Sequence, residues 1–323
     1  MKLAKTYAFL KKDLSLIEDA LEVSVYADQE ILNEASLQLL KAGGKRLRPV
    51  FVLLASKFGD YNLEKIKNVA SSLELIHMAS LVHDDVIDNS DLRRGKPTVK
   101  AKWDNQVAML TGDYIFAKAL QQFTEIEEPR AHQILSHTMI ELTIGEIEQI
   151  KDKYKVDQNF RNYLKRIKRK TALLISSSCQ LGAIVANTDN KSEKALFRYG
   201  YYMGMSYQII DDILDFTASE KELGKPAGSD LINGNITLPV LYALEDPLIH
   251  KELTNLFSNK KQVTSDAIKP IISKIISSNA IEKAKKVSDM YLQKAYESLQ
   301  LLPNNQAKES LENIANYIGN RKI

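Results

Sequence analysis

The chain of 323 residues has one cysteine, Cys179, and is sparse in glycine and proline, with thirteen and eight respectively. A single cysteine excludes a disulfide framework and a thiolate metal cluster, and its apolar neighbours indicate a buried structural thiol rather than a nucleophile. No apolar run approaches the length of a membrane span, and the charged, amphipathic N-terminus lacks the apolar core of a signal peptide. We therefore expect a soluble, cytoplasmic protein.

An excess of charge of one sign is also lacking. The 44 Lys and Arg residues nearly balance 41 Asp and Glu residues, so the net charge is +3. That balance does not call for a nucleic-acid partner, and no RNA- or DNA-binding signature is present in the sequence. Alternating strand patterns are missing, whereas helical periodicity runs through nearly the whole chain. The sequence predicts an all-α protein with a single domain over residues 1–323.

Helix ends follow from the few glycines and prolines. One helix is stopped by Gly43 and Gly44, and another begins near Pro49. Residues 89–98 and 218–239 are polar and contain glycine and proline, so we expect loops there, the second as a lid over an active site. The other predicted helices span residues 65–86, 112–125, 129–151, 159–187, 191–217 and 236–245.

Two Asp-Asp-x-x-Asp runs, residues 84–88 and 211–215, lie within apolar, helix-forming segments. On a helix the first and last carboxylates share one face, about 6 Å apart. Carboxylates this close repel each other unless a cation holds them, and their oxygens suit Mg²⁺, which also bridges to phosphate. A solvated acidic helix end is the alternative, but neither run begins a helix. The predicted magnesium ligands are Asp84, Asp85, Asp88, Asp211, Asp212 and Asp215.

Cationic side chains flank both runs and predict phosphate binding. Lys45 and Arg48 follow the Gly-Gly turn, where free N–H groups of a new helix also favour anions. His77 lies two helical turns before Asp84, although a histidine with apolar neighbours is also typical of a core. The basic stretch 161–169 is expected to be a solvated helix face, and solvation is the alternative for every single cation. The candidate phosphate ligands are Lys45, Arg48, His77, Arg93, Arg94, Lys170 and Lys225.

Together these residues form runs that resemble the trans-prenyl diphosphate synthases. In chain order the runs are GGKRLRP (43–49), LVHDDVID (81–88), LRRGKP (92–97), GDY (112–114), GE (145–146), KT (170–171) and YQIIDDILD (207–215). The segments GEIEQIKDKY (145–154) and YIGNRK (317–322) more narrowly resemble the catalytic subunit, component II, of the two-component heptaprenyl diphosphate synthases of Gram-positive bacteria.

The resemblance implies an isoprenoid-synthase-type bundle of antiparallel helices around a deep central cavity. It implies that Asp84, Asp88 and the second run bind an allylic diphosphate through Mg²⁺, with Asp85 in support. The implied ligands of isopentenyl diphosphate are Lys45, Arg48, His77 and Arg94. The implied contacts of the allylic diphosphate are Arg93, Lys170, Thr171, Gln208 and Lys225, of which Thr171 and Gln208 would supply dipoles near the reacting cation.

The implied reaction ionises the allylic C–O bond. The double bond of isopentenyl diphosphate attacks the cation, and a proton leaves to the departing diphosphate. Metal ions and cationic side chains stabilise the leaving group, and a closing lid would exclude water. The implied primer is farnesyl diphosphate, and the implied product is all-trans-heptaprenyl diphosphate for the menaquinone side chain. The implied partner is a small, non-catalytic component I subunit, and product release would bring peripheral membrane contact.

Product length is predicted from two small residues. The growing tail is expected to run beside the helix that carries Asp84, and Ser80 and Ala79 lie one turn before that residue. Short-chain members of the family carry a bulky aromatic residue there as a floor, so small residues predict an open channel and a longer product. Close helix packing is the alternative reason for small residues.

Three other functions stay open. A homodimeric long-chain, octaprenyl-like synthase would share every catalytic run, and product formation by the purified chain alone would identify it. A class I terpene cyclase shares the first Asp run but normally has an Asn/Ser/Glu motif as its second. A non-catalytic partner or scaffold subunit would be expected to have lost acidic ligands, whereas both runs are complete here.

Overall fold

The computed structural model describes residues 3–218, 227–259 and 263–321, and helices dominate these ranges. The all-α prediction is confirmed. Up to the second Asp run the helices are α1 (Leu3–Thr6), a 3₁₀ turn (Ala8–Leu10), α2 (Lys11–Val25), α3 (Glu30–Lys41), α4 (Leu47–Ser56), α5 (Leu63–Ile87), α6 (Val99–Lys102), α7 (Asn105–Phe123), α8 (Pro129–Asp152), α9 (Phe160–Ile167), a π-helical turn (Lys168–Ala172), α10 (Leu173–Val185) and α11 (Asn190–Thr217). The later helices are α12 (Ser229–Ile232), α13 (Leu238–Ala243), α14 (Pro247–Ser258), α15 (Ser265–Ser277), α16 (Ala280–Leu299) and α17 (Gln306–Gly319).

The loop predicted over residues 89–98 contains a small β-hairpin. Strands β1 (Leu92–Arg93) and β2 (Lys96–Pro97) pair antiparallel. The two residues between them both have positive φ, 53° for Arg94 and 74° for Gly95, which is the geometry of a type I′ turn. The loop prediction was therefore wrong within residues 92–97, because strands of two residues are too short to show an alternating pattern.

Two of the predicted helices differ from the observed ones. α7 begins seven residues before the predicted start, at Asn105, because the side chain of Asp104 caps it by accepting from Val107 N at 2.7 Å. The helix predicted over residues 159–187 is interrupted by the π-helical turn, where Leu173 N donates to Lys168 O. That bond spans five residues, and a π-helical turn of this kind frequently marks a functional site.

Contacts divide the chain into two compact units, each assembled from separate stretches of sequence. The first unit comprises Met1–Ser136, Ser177–Phe197 and Leu301–Leu311. The second unit comprises His137–Ser176, Arg198–Gln300 and Glu312–Ile323. The prediction of a single domain over residues 1–323 stays a prediction.

In the first unit, α5 packs along α7 and is also covered by α2 and α4. The C-terminal end of α5 is held by a buried apolar cluster of Val82, Ala35, Val99 and Ala108, one residue from each of four helices. Burial of apolar surface stabilises this packing by about 25 cal/mol per Å². The cluster therefore fixes the end of α5 that carries the first Asp run.

In the second unit, a buried apolar cluster joins α9, α11 and α13. Its largest members include Tyr163, Ile209, Ile213 and Leu238, and all four are fully buried. The two isoleucines are neighbours of the second Asp run on α11, so the cluster holds that part of the helix in place. The run thus lies on a helix whose opposite face is anchored in a core.

The cysteine has the environment that its neighbours predict. Cys179 is fully buried on α10, and burial raises the pKa of its thiol. A thiol of this kind is inert rather than nucleophilic, which confirms the structural interpretation. Among the helices of the described ranges, none is long and apolar enough to cross a membrane.

Candidate active site

The first Asp run occupies the C-terminal end of α5, and Asp88 is the C-cap of that helix. Asp88 N donates to Asp84 O at 2.8 Å, so the two residues are one helical turn apart. Both side chains are half-buried, whereas Asp85 is only 3% exposed. The predicted arrangement is confirmed in this respect: the first and last carboxylates share a face, and the middle one turns inwards.

Asp85 is bound by Arg93 of the β-hairpin. Arg93 Nε lies 3.0 Å from each carboxylate oxygen of Asp85, and Arg93 Nη2 lies 2.8 Å from Oδ1. Burial raises the pKa of Asp85, and the arginine opposes this shift. The pair fastens the hairpin to the end of α5, which agrees with a supporting role for Asp85. It also gives Arg93 an acidic partner within the protein.

Four arginines converge on His77, which lies on the same helix. Burial and the positive charges of Arg48, Arg94, Arg93 and Arg46 hold the pKa of His77 well below its ordinary value of 6.5. The imidazole is therefore neutral at pH 7, in a strongly positive environment. Three predicted ligands of isopentenyl diphosphate, Arg48, His77 and Arg94, are thus brought together in the first unit, and their charge suits a diphosphate.

Arg46 anchors the segment 45–48 and is a residue that the sequence analysis missed. It adopts a left-handed conformation with φ 47°. Its guanidinium donates to Glu18 Oε1 at 2.5 Å, to Glu74 Oε1 at 3.2 Å and to Leu40 O at 3.1 Å. The available signal was Glu74, an acidic residue on an otherwise apolar stretch of α5, since a buried carboxylate needs a cationic partner.

The Gly-Gly turn before α4 has two separate causes. Gly43 has φ 78°, a conformation that side chains rarely adopt. At Gly44 a Cβ atom would lie 2.9 Å from Nη1 of Arg94, so the missing side chain lets the hairpin approach the turn. Lys45 follows as an exposed residue two positions before α4, where the sequence predicts a phosphate ligand.

The Gly-Asp-Tyr run packs α7 beneath the first Asp run. A Cβ atom on Gly112 would lie 2.3 Å from Nε2 of His83, which is the residue just before Asp84. His83 Nε2 lies 3.2 Å from Asp113 Oδ1, and the hydroxyl of Tyr114 donates to the backbone of Tyr26. The run therefore has a structural function, which is to set how closely α7 approaches the end of α5.

The two candidate chain-length residues differ in their environment. Ala79 is 2% exposed, whereas Ser80 is half-buried and its hydroxyl donates to His77 O at 2.8 Å. The role of both in product length stays a prediction. Ser80 has more room for a larger side chain than Ala79, because part of its surface is open.

In the second unit, Asp211 is half-buried and accepts a hydrogen bond from Arg321, near the C-terminus. The guanidinium carbon of Arg321 lies 5.4 Å from the ring centre of Tyr207, a cation–π contact. Arg321 belongs to the C-terminal run that carries the narrower resemblance. Its contact with the second Asp run was not predicted, because nothing in the sequence relates residues 110 positions apart.

Asp212 is 3% exposed, and donors of the protein occupy both of its oxygens. Gln208 Nε2 donates to Asp212 Oδ1 at 2.8 Å, and the hydroxyl of Tyr163 donates to Oδ2 at 2.7 Å. The Thr171 hydroxyl in turn donates to Gln208 Oε1 at 2.6 Å. Burial and the charge of Asp230 raise the pKa of Asp212 to about 7. The predicted pair Thr171 and Gln208 is thus in direct contact.

Asp215 is the third carboxylate of this run and is 1% exposed. Ser229 Oγ donates to its Oδ1 at 2.9 Å, and Asp230 N donates to its Oδ2 at 3.1 Å, so Asp215 caps α12. The loop predicted over residues 218–239 was wrong where α12 lies, whereas the start of α13 falls within the helix predicted over residues 236–245. Lys225 lies outside the described residues.

Lys170 lies in the π-helical turn, and both it and its neighbour bind acidic residues of α8. Lys170 Nζ lies 3.0 Å from Glu146, and Arg169 Nη1 lies 2.5 Å from Glu148 Oε1. A Cβ atom on Gly145 would lie 2.8 Å from Cβ of Arg169, so this glycine lets α8 approach the turn. The Gly-Glu run therefore supports the segment that carries Lys170.

The basic stretch 161–169 is solvated only in part. Arg166 is 6% exposed, and it donates to Gln158 Oε1 at 2.9 Å and to Ile236 O at 2.5 Å. The prediction of a solvated face was wrong for Arg166 and Arg169, while Arg161 is exposed. Arg166 lies three residues after a buried tyrosine, on the inward face of α9, where two residues from outside that helix, Gln158 and Ile236, accept its hydrogen bonds.

The acidic residues fit a divalent cation that is completed by ligand oxygens. In the part of the chain that the structure describes, no three Asp, Glu, His or Cys side chains are grouped to hold a metal ion by themselves. Paired carboxylates such as Asp84 and Asp88 fit a hard cation that keeps water and takes phosphate oxygens. Side chains of the first unit could therefore hold a metal–diphosphate complex together with the arginines around His77.

Known proteins resemble the whole chain. A family model described as polyprenyl synthetase matches residues 29–275. Heptaprenyl diphosphate synthase component 2 of Bacillus subtilis (strain 168) is 59% identical over 323 residues, which is 100% of this chain and 92% of the relative. A crystal structure of heptaprenyl diphosphate synthase from Staphylococcus aureus has a TM-score of 0.93 at 42% identity and covers 97% of this chain and 99% of that one. The polyprenyl synthase from Caulobacter crescentus CB15, complexed with calcium and isoprenyl diphosphate, has a TM-score of 0.94 at 30% identity and covers 100% and 98% respectively.

Proposed function

The chain belongs to the polyprenyl synthetase family, and on that basis we propose that it is a trans-prenyltransferase that adds isopentenyl diphosphate units to an allylic diphosphate. Its all-α fold is that of the solved synthases to which it is similar. The observation that carries the proposal is in the first unit. There Asp84 and Asp88 share the end of one helix, and that helix also carries His77 with its surrounding arginines.

The primer is farnesyl diphosphate, and the product is all-trans-heptaprenyl diphosphate. Relatives and a solved structure that carry the heptaprenyl diphosphate synthase name support this product. The small residues Ala79 and Ser80 support a longer product, since neither closes a channel beside α5. A side chain of menaquinone is the proposed destination of the heptaprenyl group.

The divalent cation is Mg²⁺. The calcium complex of a related synthase supports a divalent cation, and carboxylate oxygens with phosphate oxygens are the ligands that Mg²⁺ takes. In the first unit Asp84 and Asp88 are the residues that would hold it, and in the second unit Asp211 is the candidate ligand. When bound, such a cation supplies positive charge to the leaving diphosphate.

The chain's own residues bind and orient the substrates. Lys45, Arg48 and Arg94 hold isopentenyl diphosphate by charge, beside a neutral His77 that can donate a hydrogen bond to phosphate. Lys170 contacts the allylic diphosphate, in exchange for its present partner Glu146. Thr171 and Gln208 present oxygen atoms towards the allylic cation, because the negative ends of their dipoles stabilise positive charge.

A small, non-catalytic subunit is the proposed partner. The name component 2 of the 59% identical relative supports a two-component enzyme. Product formation by the purified chain alone would instead favour a homodimeric synthase.

The substrates are multiply charged diphosphates that do not cross a bilayer unaided, which supports a cytoplasmic location. The long apolar product supports a peripheral membrane contact at release.

Mass spectrometry of products from farnesyl and isopentenyl diphosphates tests the reaction and the partner together. The purified chain is assayed with Mg²⁺, with and without a candidate small subunit. Heptaprenyl diphosphate formed only with both proteins is the expected result. No elongated product under either condition would refute the enzyme proposal.

Substitution of the first carboxylate tests the site. Asp84→Ala is expected to abolish turnover, because one of the paired ligands is removed, whereas Arg161→Ala on an exposed face is expected to retain it. Retained turnover in Asp84→Ala with Mg²⁺ present would refute the proposed metal role of this residue.

A further inference from the structure

Four side chains of the second unit form one continuous chain of hydrogen bonds. Its order is Tyr163, Asp212, Gln208 and Thr171, with donor–acceptor distances of 2.7, 2.8 and 2.6 Å. Tyr163 is fully buried and Asp212 is 3% exposed, so water does not compete for their bond. A buried chain of this kind holds its members in a single arrangement.

The chemistry of the groups gives this chain a direction. The amide nitrogen of Gln208 only donates, and it donates to Asp212 Oδ1 at 2.8 Å, so this contact fixes which end of the Gln208 amide points towards Asp212. The amide oxygen must then face Thr171. Because the Thr171 hydroxyl donates its proton to that oxygen, its own lone pairs point away from Gln208. Asp212 thereby determines the orientation of the Gln208 amide and, through it, of the Thr171 hydroxyl, which it does not contact.

Tyr163 is needed to hold Asp212 itself. With its Oδ2 bound by Tyr163 and its Oδ1 bound by Gln208, the carboxylate cannot rotate without breaking a buried hydrogen bond. Such a loss costs about 1–3 kcal/mol. Both oxygens are occupied by protein donors, and Asp212 is buried, whereas Asp211 is half-buried.

The π-helical turn brings Tyr163 and Thr171, the two ends of this hydrogen-bond chain, to one helix face. Eight residues separate Tyr163 from Thr171, and on a regular α-helix that spacing leaves them about 80° apart around the axis. The wider π-helical turn advances less per residue, so Thr171 is brought back towards the face of Tyr163. Both then meet α11, where Gln208 and Asp212 are one turn apart.

A glycine of α11 sets the distance between these segments. A Cβ atom on Gly204 would lie 2.5 Å from Cα of Ala172, the last residue of the π-helical turn. Gly204 is one turn before Gln208, so the close approach of backbones lies directly beside the contact between Thr171 and Gln208. The geometry of the turn and of α11 is therefore matched to this hydrogen-bond chain.

We propose that Tyr163 and Asp212 are positioning residues, which fix the orientation of Gln208 and through it Thr171 during prenyl transfer. This rests on the proposed function, in which Thr171 and Gln208 face the allylic cation. Asp212 then acts through Gln208 rather than as a metal ligand. Tyr163 is a residue that the sequence motifs do not identify, since it lies outside every run.

The test compares Tyr163→Phe with Tyr201→Phe in the complete enzyme. Tyr201 is half-buried but packs against the same apolar cluster, so its variant removes a tyrosine hydroxyl from the same region without touching the hydrogen-bonded chain. For Tyr163→Phe we expect kcat to fall about 10- to 100-fold, as for a misplaced catalytic group. The KM of both diphosphates, and the affinity for Mn²⁺ measured by calorimetry, are expected to stay unchanged. Tyr201→Phe is expected to match the wild type in every measurement.

The variant Asp212→Asn distinguishes a positioning role of Asp212 from a metal-binding role. It also provides a test of the proposal if Tyr163→Phe fails to fold. An asparagine can still accept from Gln208 and can donate to the Tyr163 oxygen, so it preserves the chain. We expect its Mn²⁺ affinity to be unchanged and its kcat to exceed that of Tyr163→Phe. A weaker Mn²⁺ affinity in Asp212→Asn, or an unchanged kcat in a folded Tyr163→Phe, would overturn the proposal. Absence of product with the wild-type enzyme would instead refute the proposed function.

Discussion

Arg321, the last residue that the structure describes, binds the first carboxylate of the second Asp run, Asp211. Its guanidinium also lies over the ring of Tyr207, one turn earlier on α11. A residue near the C-terminus thus places positive charge where the proposed enzyme would need a divalent cation. Two cations compete for one carboxylate unless the arginine moves.

Arg321→Ala is accordingly expected to bind a divalent cation more tightly in the absence of substrate. The ion pair is partly exposed, so the dissociation constant for Mn²⁺ should fall by up to about fivefold, corresponding to an ion pair of about 1 kcal/mol. Titration calorimetry of the wild type and of Arg321→Ala measures this change. Arg161→Ala, which removes an exposed arginine elsewhere in the second unit, is the control. An unchanged or higher dissociation constant in Arg321→Ala would show that Arg321 does not compete.

His77 makes the stability of the protein depend on pH. Its pKa is lowered in the folded state, by burial first and then by the arginines, so the unfolded state binds a proton more readily. The stability that His77 contributes is therefore complete above its unfolded pKa of about 6.5 and is lost as the pH falls below that value. Between about pH 7.5 and pH 5.5 the expected loss is at most about 1.4 kcal/mol, the limit for a histidine that stays neutral in the folded state.

Urea unfolding of His77→Gln at the two pH values measures this loss. The variant should lack up to about 1.4 kcal/mol of the pH dependence of the wild type, whereas His250→Gln, at a half-buried site in the second unit, should retain it. Inorganic pyrophosphate should reduce the loss in the wild type, because bound negative charge favours protonated His77. An identical pH dependence in wild type and His77→Gln would contradict the environment that the structure gives this residue.

Ser80→Phe is expected to shorten the product by at least one isoprene unit. The serine is half-buried and can accept a larger side chain, which would then obstruct the growing tail. Ala79→Phe should also shorten the product, but with a loss of stability, since Ala79 is buried and overpacking costs about 1–3 kcal/mol. Mass spectrometry gives the chain lengths, and Ser80→Ala, which adds no bulk, should keep the wild-type length. Unchanged product lengths in both phenylalanine variants would refute the role of these two positions in setting the product length.

Gly204→Ala is expected to destabilise the second unit by about 1–3 kcal/mol, because the added methyl group meets backbone rather than a movable side chain. Thermal and urea unfolding measure this effect. Gly319→Ala is a matched control, since its methyl group would meet the end of Leu292, which can move. Equal losses in the two variants would mean that the π-helical turn is not held by close contact with α11.

The sequence was sufficient for the features that depend on local chemistry. Helical periodicity predicted the class of fold, and the spacing of the carboxylates predicted the shared face of Asp84 and Asp88. Gly43 predicted the end of α3, and its positive φ shows why a glycine stands there. These predictions succeed because each depends on residues within a few positions of one another. The second Asp run was placed on the correct helix for the same reason.

Features that depend on distant residues could not be predicted in this way. The two Asp runs share one pattern, yet Asp85 binds an arginine, Asp212 a tyrosine and a glutamine, and Asp215 the beginning of a helix. Each partner is fixed by tertiary packing rather than by spacing. The burial of Arg166 has the same origin, because its polar partners come from outside its own helix.

The π-helical turn at Lys168–Ala172 also bears on how sequences of this kind should be aligned. A relative with an uninterrupted α-helix here would need one residue fewer to keep the same phase between the tyrosine and the threonine. A one-residue gap in this segment therefore marks a regular helix that keeps the phase between these two residues. An uninterrupted α-helix of the same length would instead turn the threonine away from the face of the tyrosine.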